Sequence, residues 1–349
     1  MLPSGGEADM EAFQRHVSLS LAELRDGEGF LSIAWIRRLL EAFLLCQEEF
    51  RAVVAQARRR GGGGPQAEKL VTEYHERAVK ALDVCNAARD GIDQVRRWGR
   101  LAGIAASVLL ASGEIHEGQL RRARKALSDL SVLLVDDAAA AGSGGGVASF
   151  LASHRNRSFG RGARASPSRA SSVSSSSSSS SSHFRSLSWS VSRTWSAARQ
   201  LQAIGSGLAA PRAHEAGLAA PVYAMGCLLH LASWALVAAV PCPDRGAALQ
   251  AHHLPAVPPR SALSWAPPLL ALQDRLTEEG KRKDRRNSCG LLKEIHALEK
   301  CAQRLAELAA VCAAMKEGLE PLERQVREVF HRIVRSRMEG FDSIMPHAD

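Results

Sequence analysis

Serines that follow arginines are the residues of this chain whose types and spacing best fit a defined chemistry. In the middle of the chain, three serines each have an arginine within the three residues before them. Protein kinases directed by basic residues phosphorylate hydroxyl groups in such a setting, and each phosphate adds about −1.5 to −2 charges. We therefore predict that the candidate phosphosites are Ser158, Ser166 and Ser188.

The arginines around these serines carry the net charge of the whole chain. From Ala138 to His214 there are nine arginines and no Lys, Asp or Glu, while the full chain has 45 basic and 36 acidic residues and a net charge of +9. A polybasic segment gains about 1 kcal/mol per basic residue near an anionic bilayer. We predict contact with an anionic membrane surface through the five arginines nearest its start, which are Arg155, Arg157, Arg161, Arg164 and Arg169.

Phosphorylation and membrane contact would oppose each other in this segment. About four or five phosphates would cancel the nine arginine charges. The segment would then leave the bilayer, or it would be captured by a phosphoserine-reading protein. The alternative interpretation is that the segment is only a solubilising linker.

Patterns that indicate an enzyme are missing from the sequence. There is no Walker phosphate loop, nucleophile elbow, dinucleotide-binding glycine turn or zinc-binding H-E-x-x-H. The seven cysteines include no C-x-x-C pair, His230 is isolated on an apolar helix, and His252-His253 lies among prolines. We expect no catalytic, metal or cofactor site and no small-molecule substrate. Because the charge lies in one segment and not along a helix face, we also expect no nucleic-acid partner.

Helical periodicity dominates both sides of the arginine segment and predicts an all-α fold. Before the segment, apolar residues recur every three or four positions in runs from Glu7, from Ile33, from Gln66 to about Trp98, and from Gly99 to Leu134 with an interruption at Gly113. Glycine-rich turns join these runs, which predicts a multi-helix antiparallel bundle with long amphipathic helices. The division expected is a helical half over 1–137, a disordered Gly/Ser/Arg linker over 138–183, and a second helical half over 184–349.

The second helical half contains a heptad-like seam. After a short helix over 269–279, apolar residues alternate by three and four from Leu291 to Cys312, and the pattern resumes after Gly318 and Pro321. We expect those two residues to break or kink the helix. The seam fits an intramolecular bundle, and the alternative is a two-chain coiled coil.

The stretch from Val222 to Val240 has 19 residues and no formal charge. At 1.5 Å per residue it rises about 28 Å, close to the hydrocarbon thickness of a bilayer. However, His230 stands at its midpoint, and a central imidazole opposes insertion. A spanning helix would also separate the two helical halves. We favour a buried core helix with peripheral membrane association, and the alternative is a single-pass transmembrane protein.

Five stretches of the chain are similar to the plant BYPASS/ROH family. The opening matches in Ala12-Phe-Gln-Arg-His-Val-Ser18 and Cys46-Gln-Glu-Glu-Phe50, and the block from Phe184 to Ile204 with its two tryptophans is the most specific. The end of the apolar helix, Trp234 to Gly246, and the last helix, Val326 to Arg337, match as well. The resemblance covers nearly the whole chain.

The resemblance implies a plant protein without known enzymatic activity, so it supplies no catalytic residues. It implies a role in root and shoot development through control of a mobile signal, and binding to an exocyst subunit. Members often have a membrane span assigned to the apolar helix. The expected location is cytoplasmic and membrane-associated, with the single-pass form as the alternative.

Overall fold

The computed structural model describes residues 5–26, 29–61, 64–111, 116–140, 195–212, 217–242, 266, 267, 271 and 291–342. These residues contain seven long or medium α-helices and no strand, which confirms the prediction of an all-α fold. In chain order the helices are α1 (Gly5–Asp26), α2 (Ile33–Arg59), α3 (Pro65–Leu109), α4 (Glu117–Ala140), α5 (Ala197–Gly205), α6 (Ala219–Ala239) and α7 (Leu291–Asp342).

The two longest helices, α3 and α7, form the main interface of the bundle. The His75 Nε2 atom lies 3.2 Å from the Ser336 Oγ atom, and Gly99 lies against Cys312 further along. Residue numbers therefore rise along α3 as they fall along α7, so the two helices are antiparallel. A Cβ added at Gly99 would lie 2.5 Å from that of Cys312, and the missing side chain is what allows this close approach.

Helix α2 packs on α7 in the parallel sense. Gln325 Nε2 donates a hydrogen bond of 3.3 Å to the Arg37 carbonyl oxygen, and several turns later Arg51 forms an ion pair with Glu339. Helix α1 packs on α2, α4 packs mainly on α3, and α6 packs against α1, α2, α3 and α5. The core is one continuous apolar cluster that draws on all seven helices.

The predicted helix boundary at Gly99 is wrong, because α3 runs through Gly99 without a break and ends at Leu109. Of the predicted break or kink at Gly318 and Pro321, the break is wrong, because α7 runs without interruption from Leu291 to Asp342. Both glycines allow a neighbouring side chain to approach closely. Cys312 packs against Gly99, and Ile33 packs against Gly318, where an added Cβ would lie 2.8 Å from the Ile33 Cγ2 atom. The linker predicted over 138–183 lies outside the described residues, except for the end of α4, and so does the short helix over 269–279, except for Ala271.

Candidate docking cleft

Helix α6 is the apolar helix that the sequence indicates. Within the part of the chain that the structure describes, it is the one helix long and apolar enough to cross a membrane, and 78% of its most apolar stretch is buried inside the protein. Trp234 is 1% exposed and His230 is 7% exposed. A helix that is apolar all round is expected at the centre of a large bundle. Its burial supports the hypothesis of a core helix.

Close backbone approaches fix α6 and its C-terminal end against its neighbours. A Cβ added at Gly91 of α3 would lie only 2.2 Å from the Pro241 carbonyl oxygen. The His230 ring packs on Gly205 at the end of α5, where an added Cβ would lie 2.5 Å from the Cε1 atom. His230 therefore occupies a packed position between two helices.

The buried cysteines have the properties of core residues. Burial raises the pKa of Cys46 to about 11, that of Cys85 to about 12 and that of Cys312 to about 11. Such thiols are protonated near neutral pH and are therefore poor nucleophiles and poor metal ligands. Among the described residues, no group of three or more His, Cys, Asp or Glu side chains could hold a metal ion.

An open cleft of about 790 Å³ lies beside the C-terminal end of α6. Its walls come from the start of α2, from α3, from the end of α6 and from the middle of α7, and they are mostly apolar. The main apolar contributors are Ile33, Ile36, Val95, Val240, Met315 and Leu319. This concave, mostly apolar surface is our candidate functional site.

Two side chains give the cleft a specific character. Phe30 stands at the rim with 59% of its surface exposed, and its ring lies 5.0 Å from that of Trp35 and 6.1 Å from that of Trp234. Arg37 lines the cleft, and its Nε atom is buried and has no hydrogen-bond partner. Nor do the described residues provide Arg37 with a carboxylate. An apolar surface with one unpaired cation would complement an apolar surface that carries one anion.

The rim of the cleft is a strained turn that leads into α2. Leu31 has a φ of +60°, and it is the one non-glycine residue with positive φ among those that the structure describes. Ser32 caps the helix, because its Oγ atom accepts a hydrogen bond of 3.2 Å from the Trp35 backbone N–H. The Trp35 Nε1 atom donates to the Leu24 carbonyl oxygen at 2.9 Å, which ties the start of α2 to the end of α1.

The site residues predicted from the sequence are not part of this cleft. The three candidate phosphosites, and the five arginines predicted to contact a membrane, lie outside the described residues, so their roles stay predictions. Sequence reasoning missed Phe30 and Arg37. Phe30 follows Gly29 in a turn, and Arg37 occupies an ordinary position on an amphipathic helix, so neither carries a local signal.

Comparison with known proteins decides the family. The chain matches the family model described as "Protein ROH1-like" over residues 4–310 and again over 300–344. This chain belongs to the ROH1-like family. The resemblance to BYPASS/ROH proteins is thereby confirmed.

Two curated relatives from Arabidopsis thaliana are similar to this ROH1-like chain over nearly its whole length. Protein ROH1D is 43% identical, in a match that covers 98% of this chain and 89% of the relative. Protein ROH1A is 36% identical, in a match that covers 95% of this chain and 89% of the relative. No solved structure matches the chain.

Proposed function

We propose that this ROH1-like chain is a non-enzymatic interaction protein that acts at the cytoplasmic surface of membranes without spanning them. The ROH1-like family is not a known enzyme family. The observation that carries the proposal is the position of α6 inside the bundle. This position is expected of a peripheral protein, whose helices share one core. In a single-pass protein, the helices before and after α6 would lie on opposite sides of a bilayer.

The interface between α3 and α7 is the main argument against a membrane span. Helix α3 precedes α6 in the chain and α7 follows it, so a spanning α6 would place these two helices in different compartments. Their contacts would be lost, including the ion pair of 2.5 Å between Arg96 and Glu323. Fully buried Leu, Ile and Trp side chains each contribute about 1.5–3 kcal/mol or more, so losing a whole helix face would cost far more than insertion of α6 could return.

Extraction from membranes tests this part of the proposal. Membranes from plant cells that express the full chain are washed at alkaline pH with carbonate, which releases peripheral proteins. We expect the chain in the supernatant, together with a known peripheral protein. A chain that stays in the pellet with an integral marker would overturn the proposal and support the single-pass alternative, which α6 satisfies by length and composition.

The arginine segment is the proposed membrane contact. At about 1 kcal/mol for each basic residue near an anionic surface, five arginines would supply enough free energy for reversible binding. The test is flotation with vesicles that contain phosphatidylserine. Replacing Arg155, Arg157, Arg161, Arg164 and Arg169 with Gln should remove most of the bound fraction. Replacing the same five with Lys keeps the charge and should preserve binding.

Phosphorylation of the same segment is the proposed switch. We expect the combined changes Ser158→Glu, Ser166→Glu and Ser188→Glu to weaken vesicle binding, because negative charge offsets the arginines. The corresponding Ala changes are the control and should bind as the unmodified chain does. Equal binding of the Glu and Ala variants would remove the switch.

The biological role proposed is control of root and shoot development through the secretory route. The family resemblance supports an exocyst subunit as the protein partner, and an interaction protein without catalytic residues suits such a role. Co-precipitation of the full chain with individual exocyst subunits tests it. Failure to bind any of them would leave the peripheral membrane role intact and remove the exocyst link.

A further inference from the structure

We propose that the cleft beside the end of α6 is the docking site for an amphipathic helix of a protein partner, and that this helix carries an Asp or Glu that pairs with Arg37. The inference deepens the proposed function, on which it rests, because it assigns the interaction to a surface and gives the chemistry of the partner.

The shape and lining of the cleft favour a helix over a small molecule. Small-molecule sites enclose most of the surface of their ligand, whereas this cleft is open to solvent. Here the walls are formed mainly by apolar residues of four helices, and the polar side chains on the wall are those of Ser32 and Arg37. An open apolar trough suits the apolar stripe of a helix, which presents side chains at positions i, i+3, i+4 and i+7.

Arg37 sets the charge of the partner. A guanidinium nitrogen that is buried without a hydrogen-bond partner costs about 1–3 kcal/mol, and this cost would be recovered when a carboxylate arrives. An Arg–carboxylate pair at the edge of an apolar contact is charge-assisted and stronger than a neutral hydrogen bond. The partner is therefore expected to be acidic on the side that faces α2.

Phe30 supplies the apolar anchor. Its ring is held from behind by Trp35 and Trp234, while 59% of its surface faces solvent at the cleft rim. Aromatic side chains that are supported in this way dominate the energy of many protein interfaces. Together, Phe30 and Arg37 give this contact surface an apolar anchor and a cation.

A second copy of this chain fits the cleft less well. In a two-fold dimer the same patch faces itself, so each Arg37 would have to find its carboxylate on the same patch of the other copy. The described cleft wall contains no carboxylate, so both cations would be buried without a partner. Charge complementarity thus favours an acidic helix from a different protein.

The test is selection from a displayed library of helical peptides of about 16 residues, or roughly four turns. The bait is the full chain, and the counter-bait is Ala314→Trp. Ala314 is an exposed residue of α7 that lines the cleft, so Trp should fill the cleft without disturbing the core. The matched control is Ala313→Trp, one residue earlier, which is also exposed and is not part of the cleft wall.

We expect the selected peptides to share an apolar stripe and an acidic residue. Fluorescence anisotropy should give a Kd that rises about tenfold or more for Ala314→Trp, a loss of about 1.4 kcal/mol, and stays unchanged for Ala313→Trp. Arg37→Gln should remove the preference for a peptide with Glu over the same peptide with Gln. Arg38→Gln, on the exposed side of α2, should retain it.

Several outcomes would overturn the proposal. The first is a library in which no peptide prefers the unmodified chain to Ala314→Trp, and the second is a set of selected peptides without an acidic residue. The third is a set of peptides that match residues 269–279, which would assign the cleft to a segment of this chain itself. Self-association that Ala314→Trp abolishes in analytical ultracentrifugation would assign the cleft to a second copy. Vesicle flotation of Ala314→Trp should equal that of the unmodified chain, so a failed docking site and a failed membrane role give different results.

Discussion

The body of α6 and the cleft at its C-terminal end are built from similar apolar residues and differ in how completely they are filled. Along α6, the chain packs so closely that glycines stand where larger residues would clash, as at Gly205 against His230 and at Gly226 against Leu208. At the cleft, Ala239 and Val240 continue the same apolar surface, yet about 790 Å³ beside them stays open to solvent. Trp234 and Phe30 mark the two environments, although their rings lie 6.1 Å apart.

This difference separates residues that hold the fold from residues that are available to a partner. Native interiors are packed about as tightly as organic crystals, so an open apolar surface next to such an interior requires an explanation. Nothing in the packing of α6 needs Phe30 to be exposed or Arg37 to be unpaired. Variants that act on one region and spare the other can therefore test the comparison directly.

The largest effect is expected for Trp234→Ala. Removing this fully buried side chain leaves a cavity between α6 and its neighbours and should lower the free energy of unfolding by about 3–5 kcal/mol. Phe30→Ala removes a neighbouring ring that is mostly exposed and should cost about 1 kcal/mol. Urea unfolding followed by circular dichroism measures both. Equal losses would mean that Phe30 belongs to the core and is not an exposed anchor.

Gly91→Ala should give the next largest effect. The added Cβ would meet the Pro241 carbonyl oxygen at 2.2 Å, and a backbone atom cannot rotate away, so we expect a loss of about 1–3 kcal/mol. Gly103→Ala is the matched control on the same helix, because its nearest neighbour would be the Ala309 Cβ atom at 4.0 Å. That change should raise stability by about 0.5–1 kcal/mol, the ordinary helix preference of Ala over Gly. If Gly91→Ala also raised the free energy of unfolding, the backbone at Gly91 and Pro241 would have room for a methyl group, and the close contact would be wrong.

The helices were predictable from the sequence, whereas the purpose of several glycines was not. The apolar stretch over 222–240 corresponds to α6, from Ala219 to Ala239, because an uncharged run of this length leaves few alternatives. Gly99 was predicted as a helix boundary and Gly318 as a break or kink, and both are contact points, with Cys312 and Ile33 respectively. Glycine ends helices and also admits close neighbours, and one chain does not reveal which use applies without its packing partner.

The cleft could not be predicted, because its walls lie far apart in the sequence. Residues of the α2 start meet those of the α6 end and of the α7 middle only after α2 and α7 have packed in parallel. No local pattern distinguishes parallel from antiparallel pairing of helices separated by more than two hundred residues. The arginine and serine pattern, by contrast, is visible in the sequence alone, and it concerns residues outside the described ranges.

A smaller effect is expected for Arg37→Leu. This change removes a cation whose Nε atom is buried without a partner, so the free energy of unfolding should stay the same or rise by up to about 1 kcal/mol. Arg96→Leu is the comparison, since Arg96 pairs with Asp93 on its own helix and with Glu323 across the interface between α3 and α7. We expect that variant to lose about 1 kcal/mol or more in the same urea titration. A clear loss of stability for Arg37→Leu would mean that Arg37 stabilises the fold and that its side chain is not available to a partner.

The smallest effect concerns the strained turn at the cleft rim. Leu31 holds a left-handed backbone that costs about 1–2 kcal/mol for a residue with a side chain, while its side chain packs partly against the core. Leu31→Gly removes the strain and the packing together, so the net gain in stability should be only about 0.5 kcal/mol. Leu31→Ala loses the packing and keeps the strain, so it should be destabilising. The difference between these two variants, about 1 kcal/mol by thermal unfolding, is the strain less the extra backbone entropy that Gly loses on folding. If Leu31→Gly and Leu31→Ala prove equally stable, the turn at the rim is not strained. The contrast between the filled core and the open cleft would then depend on Phe30 and Arg37 alone.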